Sequence, residues 1–303
     1  MKNDEGCYYS IVIPCYNEAN YICNCLESLT NQETDLKYEI IVVDNNSTDN
    51  SIAIIKQNFP QVKIIEERRP GVCFARQAGT DHAQGDIIIS TDSDTVFKKN
   101  WLNNIDQAFR KNQKIIAVTG PCQYYDGPWW GKVYTRFFFT ADYLYSLIFK
   151  RPFYVTATNL AFKKTFFKGY NLIAMQGGDE LHVLKQLKNF GQIKFLYNNK
   201  SLTSGRRLEK GLYYTIFVSF IYYYLIAYYV NNRFKREVIG TAPAFRFNQK
   251  IKMRPRLGYG LIVITFLIAV STVSTTYRPA RNFIANNIKD TSANIERIIR
   301  HLT

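Results

Sequence analysis

The chain has little of what marks a disulfide-stapled, redox or zinc protein. Its six cysteines, at 7, 15, 23, 25, 73 and 122, all fall in the first half. No two form a C-x-x-C pair, and none of the three histidines stands at metal-ligand spacing from them. They read as reduced thiols of a cytosolic domain, packing residues in the main. The opening MKNDEGCYYS has no apolar centre, so no signal peptide is expected. Neither G-x-G-x-x-G nor a Gly-rich phosphate loop follows the first apolar run, which argues against a dehydrogenase or a nucleotidyltransferase. No internal repeat and no low-complexity linker is present. Acidic residues are scarce late in the chain: residues 201–303 carry 16 Lys/Arg against 4 Asp/Glu, most of the net +15, and residues 1–200 are close to neutral. Such a basic third suits nucleic acid or an anionic membrane face. The apolar runs beside those charges favour the membrane, and no nucleic-acid partner is expected.

What is there is a core-forming composition, 47% hydrophobic and 21% charged, which excludes general disorder. Short apolar runs predict strands at Tyr9–Pro14, Tyr38–Val43, Val62–Glu66, Asp86–Ser90 and Ile115–Thr119. Helical stretches separate them, over about 19–29, 47–57 (capped by Ser47), 71–83 and 100–111. Continuous β-branched runs between helices indicate a parallel sheet covered on both faces. From 121 to 178 the pattern is less regular and rich in aromatics; strands are predicted at Tyr154–Phe162 and Gln192–Leu196, and a helix at Asp179–Asn189. The result is an open α/β domain over 1–210, and in such sheets ligands bind at the carboxyl ends of the strands.

Two later runs carry no charge, 211–232 and 257–277. As a helix the second would rise about 31 Å, matching a hydrocarbon core of roughly 30 Å, with Arg254 and Arg256 before it and Arg278 and Arg281 after it. The first has seven tyrosines, which prefer the interface. Were both to span, eight basic residues between them would face outward, against the positive-inside tendency. The expectation is therefore an interfacial or re-entrant segment with a basic loop over 211–256, one transmembrane helix over 257–277, and an amphipathic tail over 278–303 that lies along the membrane or pairs with a partner.

Four segments place chemistry at strand ends. Strand one ends in Pro14-Cys15-Tyr16-Asn17-Glu18, strand two in Asp44-Asn45-Asn46-Ser47, and strand four in Asp92-Ser93-Asp94; Gly177-Gly178-Asp179-Glu180 opens a later helix. Two carboxylates in one tight turn repel unless solvated or bridged by a cation, and hard oxygen ligands suit Mg²⁺ or Mn²⁺ shared with a diphosphate; capping of a following helix is the plainer use of such a pair. Asp44 can accept from a base N–H or serve its own turn. Tyr16 can stack on a base or be half-buried filling. Arg76 suits a phosphate or a surface position. Asp179 fits a general base or an N-cap. His182, three residues on, shares its helix face, as a site residue or as a structural histidine. Arg206 and Arg207 suit phosphate or acceptor contacts, or the basic edge of a membrane-facing surface.

Taken together, SIVIPCYNEANYI, EIIVVDNNSTDNS, RPGVCFARQAGTDHAQGDIIISTDSD and GGDELHVLKQL resemble glycosyltransferase family 2, the inverting nucleotide-sugar transferases, in order and in kind over roughly 9–190. The resemblance implies a GT-A fold: a mixed, mainly parallel sheet with helices on both faces, here followed by membrane-associated helices. It implies that Pro14, Tyr16, Glu18, Asp44, Arg76, Asp92 and Ser93 form the nucleotide-sugar site, that Asp94 ligates Mg²⁺ or Mn²⁺, and that Asp179 is the base. Family members usually carry Glu where Gly178 stands. Processive synthases of this broad family carry Q-x-x-R-W, whereas here Leu208 follows Arg207, which points to one sugar per encounter. The expected reaction is metal-dependent inverting transfer from a nucleotide-diphosphate sugar, UDP favoured, to a lipid-linked or membrane-presented glycan, with the catalytic domain facing the cytoplasm. The alternatives are transfer to a polyprenyl phosphate, or a non-catalytic scaffold that keeps the fold.

Overall fold

A seven-stranded sheet forms the centre of the computed structural model, which describes residues 8–173 and 180–240. Its first half alternates strand and helix: β1 Tyr9–Cys15, α1 Ile22–Thr30, β2 Tyr38–Asp44, α2 Ser51–Asn58, β3 Lys63–Glu66, α3 Val72–His82 and β4 Ile87–Ser90. After the short β5 Thr95–Phe97 come α4 Trp101–Lys111, β6 Ile115–Thr119, β7 Cys122–Tyr124, α5 Trp129–Phe149 and β8 Leu160–Lys163. The chain continues through α6 Leu181–Leu187, β9 Gln192–Phe195 and β10 Ser201–Thr203 to a 3₁₀ turn at Arg206–Lys210, a π-helix at Tyr214–Ile226 and α7 Ala227–Phe234.

Strand order is β3-β2-β1-β4-β8-β6-β9, parallel throughout except for β8, which runs antiparallel to both β4 and β6. The unbroken apolar runs follow from burial on two faces. Along β1, Tyr9, Ile11 and Ile13 pack with Ile22, Leu26 and Leu29 of α1 and with Trp101, Leu102 and Ile105 of α4. Val12, on the opposite face, packs with Cys73 and Ala75 of α3 and with Val183 and Leu187 of α6. Gly79 lets α3 lie close on that face: a Cβ there would sit 2.3 Å from a methyl of Val12 and 2.9 Å from one of Val43. The cysteines at 15, 23, 25, 73 and 122 are free thiols, all buried except the partly exposed Cys23.

Several sequence expectations need correction. The helix predicted over 47–57 starts at Ser51, because Ser47, Thr48 and Asp49 hydrogen-bond the loop after β1. The strand predicted over Tyr154–Phe162 starts at Leu160, after a 3₁₀ turn at Ala157–Asn159 whose Asn159 carboxamide is tied to Trp101 and to the carbonyls of Pro121 and Asn199. That strand is the antiparallel one. The aromatic stretch read as irregular contains the 21-residue α5, in which Phe138 and Phe139 pack edge-on and against Tyr154. A small second sheet, β5-β10-β7, has three-residue strands, too short to show a period.

The charge-free run 211–232 is helical from 212 and continues through α7. It docks on the domain, with Tyr224 beside Tyr154 (6.4 Å between centroids) and the Lys185 ammonium 5.0 Å from the Tyr228 ring. Among the described residues no helix is long and apolar enough to cross a membrane. The predicted span 257–277 and tail 278–303 lie outside the described residues.

The chain reversal after α5 depends on Asp142, whose Oδ1 accepts backbone N–H groups from Phe153 at 2.8 Å and Tyr154 at 3.4 Å, while its buried Oδ2 has no partner. Burial outweighs those two bonds and pushes its pKa up to about 7. Because the folded pKa lies above the unfolded value of about 4, the cost of ionising it is absent at low pH, grows as pH rises and is complete above about pH 7. Asp142→Asn keeps the Oδ1 acceptor and cannot ionise. Its thermal midpoint should therefore gain on the wild type between pH 5 and 8; parallel profiles would contradict this account.

Candidate functional site

Because β1 lies between β2 and β4, the loops leaving their carboxyl ends converge. Asn17 takes a left-handed conformation (φ 53°) and turns its carboxamide onto the second loop, where Oδ1 accepts from the Thr48 and Asp49 N–H groups at 2.7 and 3.2 Å. In return, Ser47 Oγ accepts from the Asn17 N–H (3.1 Å), Ser51 Oγ from the Glu18 N–H (2.7 Å) and an Asp49 oxygen from the Ala19 N–H (3.1 Å). These bonds weld the two segments singled out in the sequence into one wall. Asp44 helps to shape it, accepting the Ser47 N–H at 2.9 Å, and stays partly open at the mouth, as do Pro14 and Tyr16. The Asn45 carboxamide binds Gly71 N–H and the carbonyls of Glu67 and Arg69, fixing the entry to α3.

From α3, Arg76, only 2% exposed, donates to Asp92 Oδ1, and Thr158 donates to Oδ2 at 2.8 Å. Burial works against the Asp92 charge, but Arg76, the Thr158 hydroxyl, Arg207 and Arg206 together hold its pKa below the ordinary value. Ser93 is buried. Asp94 accepts from the Thr203 hydroxyl (2.9 Å) and pairs with Arg206 (2.9 Å). Burial pushes Asp94 up to about 6; Arg206 and Arg207 pull it down, and Asp92 and Glu18 push it up.

Arg206 holds the cluster together. Its two terminal nitrogens grip both oxygens of the buried Glu18 at 2.7 and 2.6 Å, one of them reaches Asp94, and the guanidinium carbon lies 4.6 Å from the centre of the Tyr21 ring. Its Nε is buried and without a partner. Of the two openings left by the sequence, Arg206 is thus no surface edge but a cation inside the site, while Arg207 is exposed and adds positive charge from the rim. The small sheet explains how a residue 188 positions away arrives here. β10 pairs with β5 directly after the Asp92–Asp94 turn, Thr203 opposite Thr95, and Asp126 accepts from the Gly205 N–H and the Ser204 hydroxyl.

Thr158, Thr203 and Asp126 were not legible as site residues, since each reaches the site through pairing of distant segments, and Tyr21, although in the first segment, gains its place only because Arg206 comes over its ring. Asp179, the predicted base, lies outside the described residues. Its neighbour Glu180 accepts from Tyr154 Oη at 2.8 Å and the Ala157 N–H at 3.2 Å, anchoring the start of α6 to the segment that carries Thr158. His182 is half-buried, and burial, with Lys185 beside it, lowers its pKa.

No group of three His, Cys, Asp or Glu side chains able to hold a metal occurs among the described residues. The site offers instead one candidate hard-oxygen ligand, Asp94, beside two further carboxylates, Asp92 and Glu18, and three guanidinium groups. That composition fits a divalent ion completed by substrate phosphate oxygens and water rather than a full protein cage. Asp94 is occupied here by the Arg206 guanidinium and the Thr203 hydroxyl.

Comparison with known proteins places the family and the fold. The family model "Glycosyl transferase family 2" matches residues 10–176. An uncharacterized glycosyltransferase, YfnE of Bacillus subtilis, is 27% identical over 132 residues, 43% of this chain and 32% of the relative. A Methanococcus voltae dolichyl N-acetyl-alpha-D-glucosaminyl phosphate 3-beta-D-2,3-diacetamido-2,3-dideoxy-beta-D-glucuronosyltransferase is 33% identical over 122 residues, 37% of this chain and 38% of the relative. The chain thus spans about a third of the length of these relatives. Among solved structures, S. aureus TarS 1–349 with UDP-GlcNAc aligns at TM-score 0.52 and 18% identity, covering 66% of this chain and 59% of that one. The Pyrobaculum calidifontis mannosyltransferase PcManGT with GDP-Man and Mn²⁺ aligns at 0.55 and 20%, covering 78% and 65%. At those identities the structural likeness speaks for the fold, which is GT-A.

Removing Arg206 takes away the bidentate partner of a carboxylate that is 3% exposed. Arg206→Ala should destabilise the protein by ~3 kcal/mol, as loss of one member of a buried pair does, and Glu18→Gln in the same chain should recover most of it. Additive losses in that double-mutant cycle, read by denaturant unfolding, would contradict the bridge.

Proposed function

The chain belongs to glycosyl transferase family 2, and given that membership we propose that it is a metal-dependent inverting transferase. It moves one sugar from a nucleotide-diphosphate sugar, UDP favoured, to a lipid-linked or membrane-presented glycan. The observation that carries the donor half is the Asp92–Asp94 turn, faced by the Arg76, Arg206 and Arg207 guanidinium groups at the carboxyl ends of β1, β2 and β4. Cations already paired with carboxylates at that place are preorganised for a diphosphate. UDP-GlcNAc in the TarS complex, and Mn²⁺ with GDP-Man in PcManGT, support a nucleotide-sugar donor and a divalent ion.

In this reading Pro14, Tyr16 and Asp44 line the mouth where the base sits, Tyr16 against its face and Asp44 accepting from its N–H. Glu18, Asp92 and Ser93 shape the ribose and phosphate side. Arg76 keeps Asp92 ionised and oriented. Asp94 is the residue that would hold Mg²⁺ or Mn²⁺, which when bound neutralises charge gathering on the departing diphosphate. Arg206 exchanges its carboxylate partners for phosphate oxygens, and Arg207 contributes from the rim. Asp179 takes the proton of the acceptor hydroxyl at its carboxylate while that oxygen attacks the anomeric carbon from the face opposite the leaving group. Leu208 stands where processive synthases have Trp, which supports transfer of one sugar per encounter. The acceptor half rests on the basic, apolar C-terminal third and on the dolichyl-linked substrate in the name of the Methanococcus relative. The catalytic domain then faces the cytoplasm at the membrane.

The test is nucleotide release by the full chain in detergent across UDP-, GDP- and dTDP-sugars with Mn²⁺. One donor should be consumed, with the activity abolished by EDTA and by Asp94→Ala. With a lipid-linked glycan acceptor, Asp179→Asn should cost ~10²–10⁴-fold in turnover, the usual worth of a general base. Full retention by Asp179→Asn would instead indicate an already ionised phosphate acceptor, and absence of any metal-dependent nucleotide affinity would overturn the transferase reading.

A further inference from the structure

Helix α5 presents two unlike faces. Gly131, Thr135, Phe139 and Asp142 are buried against the domain. The opposite stripe exposes Trp129 (76%), Val133 (58%), Phe137 (78%), Leu144 (53%) and Ile148 (67%), spaced at four, four, seven and four residues along one side. A continuous apolar stripe of this length, open to water, marks an interaction surface. Its charges narrow the partner. The exposed charges of the helix are Lys132 and Arg136, with Lys150 and Arg151 directly after it, and the one acidic residue of the helix, Asp142, is buried. A protein partner of matching chemistry would need an acidic, apolar groove. Trp and Phe between basic side chains are instead the chemistry of a bilayer interface with anionic headgroups.

The position of the helix supplies a second, independent argument. Its first turn follows Asp126, which holds Gly205 next to Arg206, and Gly131 packs on Leu208 in the turn after Arg206. The helix after that turn exposes more interfacial residues, Leu212, Tyr213 and Phe217. Exposed aromatic and apolar residues thus stand on α5, which packs on the Arg206 turn, and on the helix that follows that turn.

We propose that the exposed face of α5 lies on an anionic lipid surface, seated by Trp129, Val133 and Phe137 with Lys132 and Arg136 at the headgroups, so that the donor site opens at the membrane plane. This rests on the proposed membrane-presented acceptor but not on which donor is used. It is also separate from any anchoring by 257–277, because a span there does not by itself require α5 to touch lipid.

The experiment is depth-dependent fluorescence quenching of the full chain reconstituted in vesicles of phosphatidylcholine, with or without phosphatidylglycerol, using lipids brominated at defined acyl positions. Of the three tryptophans, Trp101 is fully buried, and Trp130→Phe leaves Trp129 as the exposed reporter. The expected result is strong quenching by shallow bromines and little by aqueous acrylamide, deepened by phosphatidylglycerol. Val133→Glu with Phe137→Glu should reduce the bromine quenching several-fold. Nucleotide release in detergent should be unchanged in that variant, which also shows that it has folded; loss of release in the unsubstituted chain would instead count against the donor reading alone. Acrylamide quenching with no response to bromolipid would overturn the proposal. So would protection of Trp129 that grows with protein density and ignores lipid composition, the sign of a second copy on this face.

Discussion

Three carboxylates, Glu18, Asp92 and Asp94, come from two neighbouring strand ends and share one pocket, two of them with little solvent to screen them. The bridge from Glu18 through the Arg206 guanidinium to Asp94, with Arg76 paired to Asp92, is what makes that arrangement tolerable. Much of the surrounding architecture serves it. The loop weld around Asn17 and Ser51 fixes Glu18, the small sheet brings in Thr203 and Arg206, and Asp126 fastens the turn that carries Arg206. Buried ion pairs of this kind contribute little net stability relative to an apolar replacement. In the proposed reading their use is positional: they would store cations and carboxylates in register for a ligand that carries both phosphate and metal.

That view also explains why Asp94 and Asp92 differ although they are two residues apart. Burial raises both, but Asp92 has a committed guanidinium and a hydroxyl that bring its pKa below the ordinary value, whereas Asp94 only shares Arg206 with Glu18, feels two neighbouring negative charges, and stays up at about 6. The less satisfied carboxylate is the one assigned to the metal. A divalent ion held by Asp94 would take the place of the Arg206 contact and leave the guanidinium for phosphate, so that donor and metal would support each other's binding.

The parallel part of the sheet and the residues at its carboxyl ends were legible in the sequence for a physical reason. Burial on both faces leaves β-branched runs such as SIVIP and EIIVV, and the ends of those runs expose short polar motifs. Asp44, Asp92 and Asp94 were singled out in that way, and Arg76 from its place at the start of the helix leading into the Asp92–Asp94 strand. Local signals failed where geometry is set by distant pairing. β8 looks like any other apolar run, yet it enters antiparallel. The strands of the small sheet are too short to have a period, and Thr158 and Thr203 carry no motif of their own. Ser47 was read as a helix cap by type, but its hydroxyl serves Asn17 instead. The aromatics of α5 hid its helical period because both faces are apolar, one toward Tyr154 and Phe195 and the other toward the surroundings.

The most direct test of the central claim is a crystal structure of the full chain with its donor nucleotide and Mn²⁺. The account predicts the ion on Asp94, the Arg206 guanidinium turned from Glu18 and Asp94 onto the diphosphate, and the Arg76–Asp92 pair unchanged. A nucleotide bound elsewhere, or bound here with the Glu18–Arg206–Asp94 bridge intact and no ion on Asp94, would contradict it.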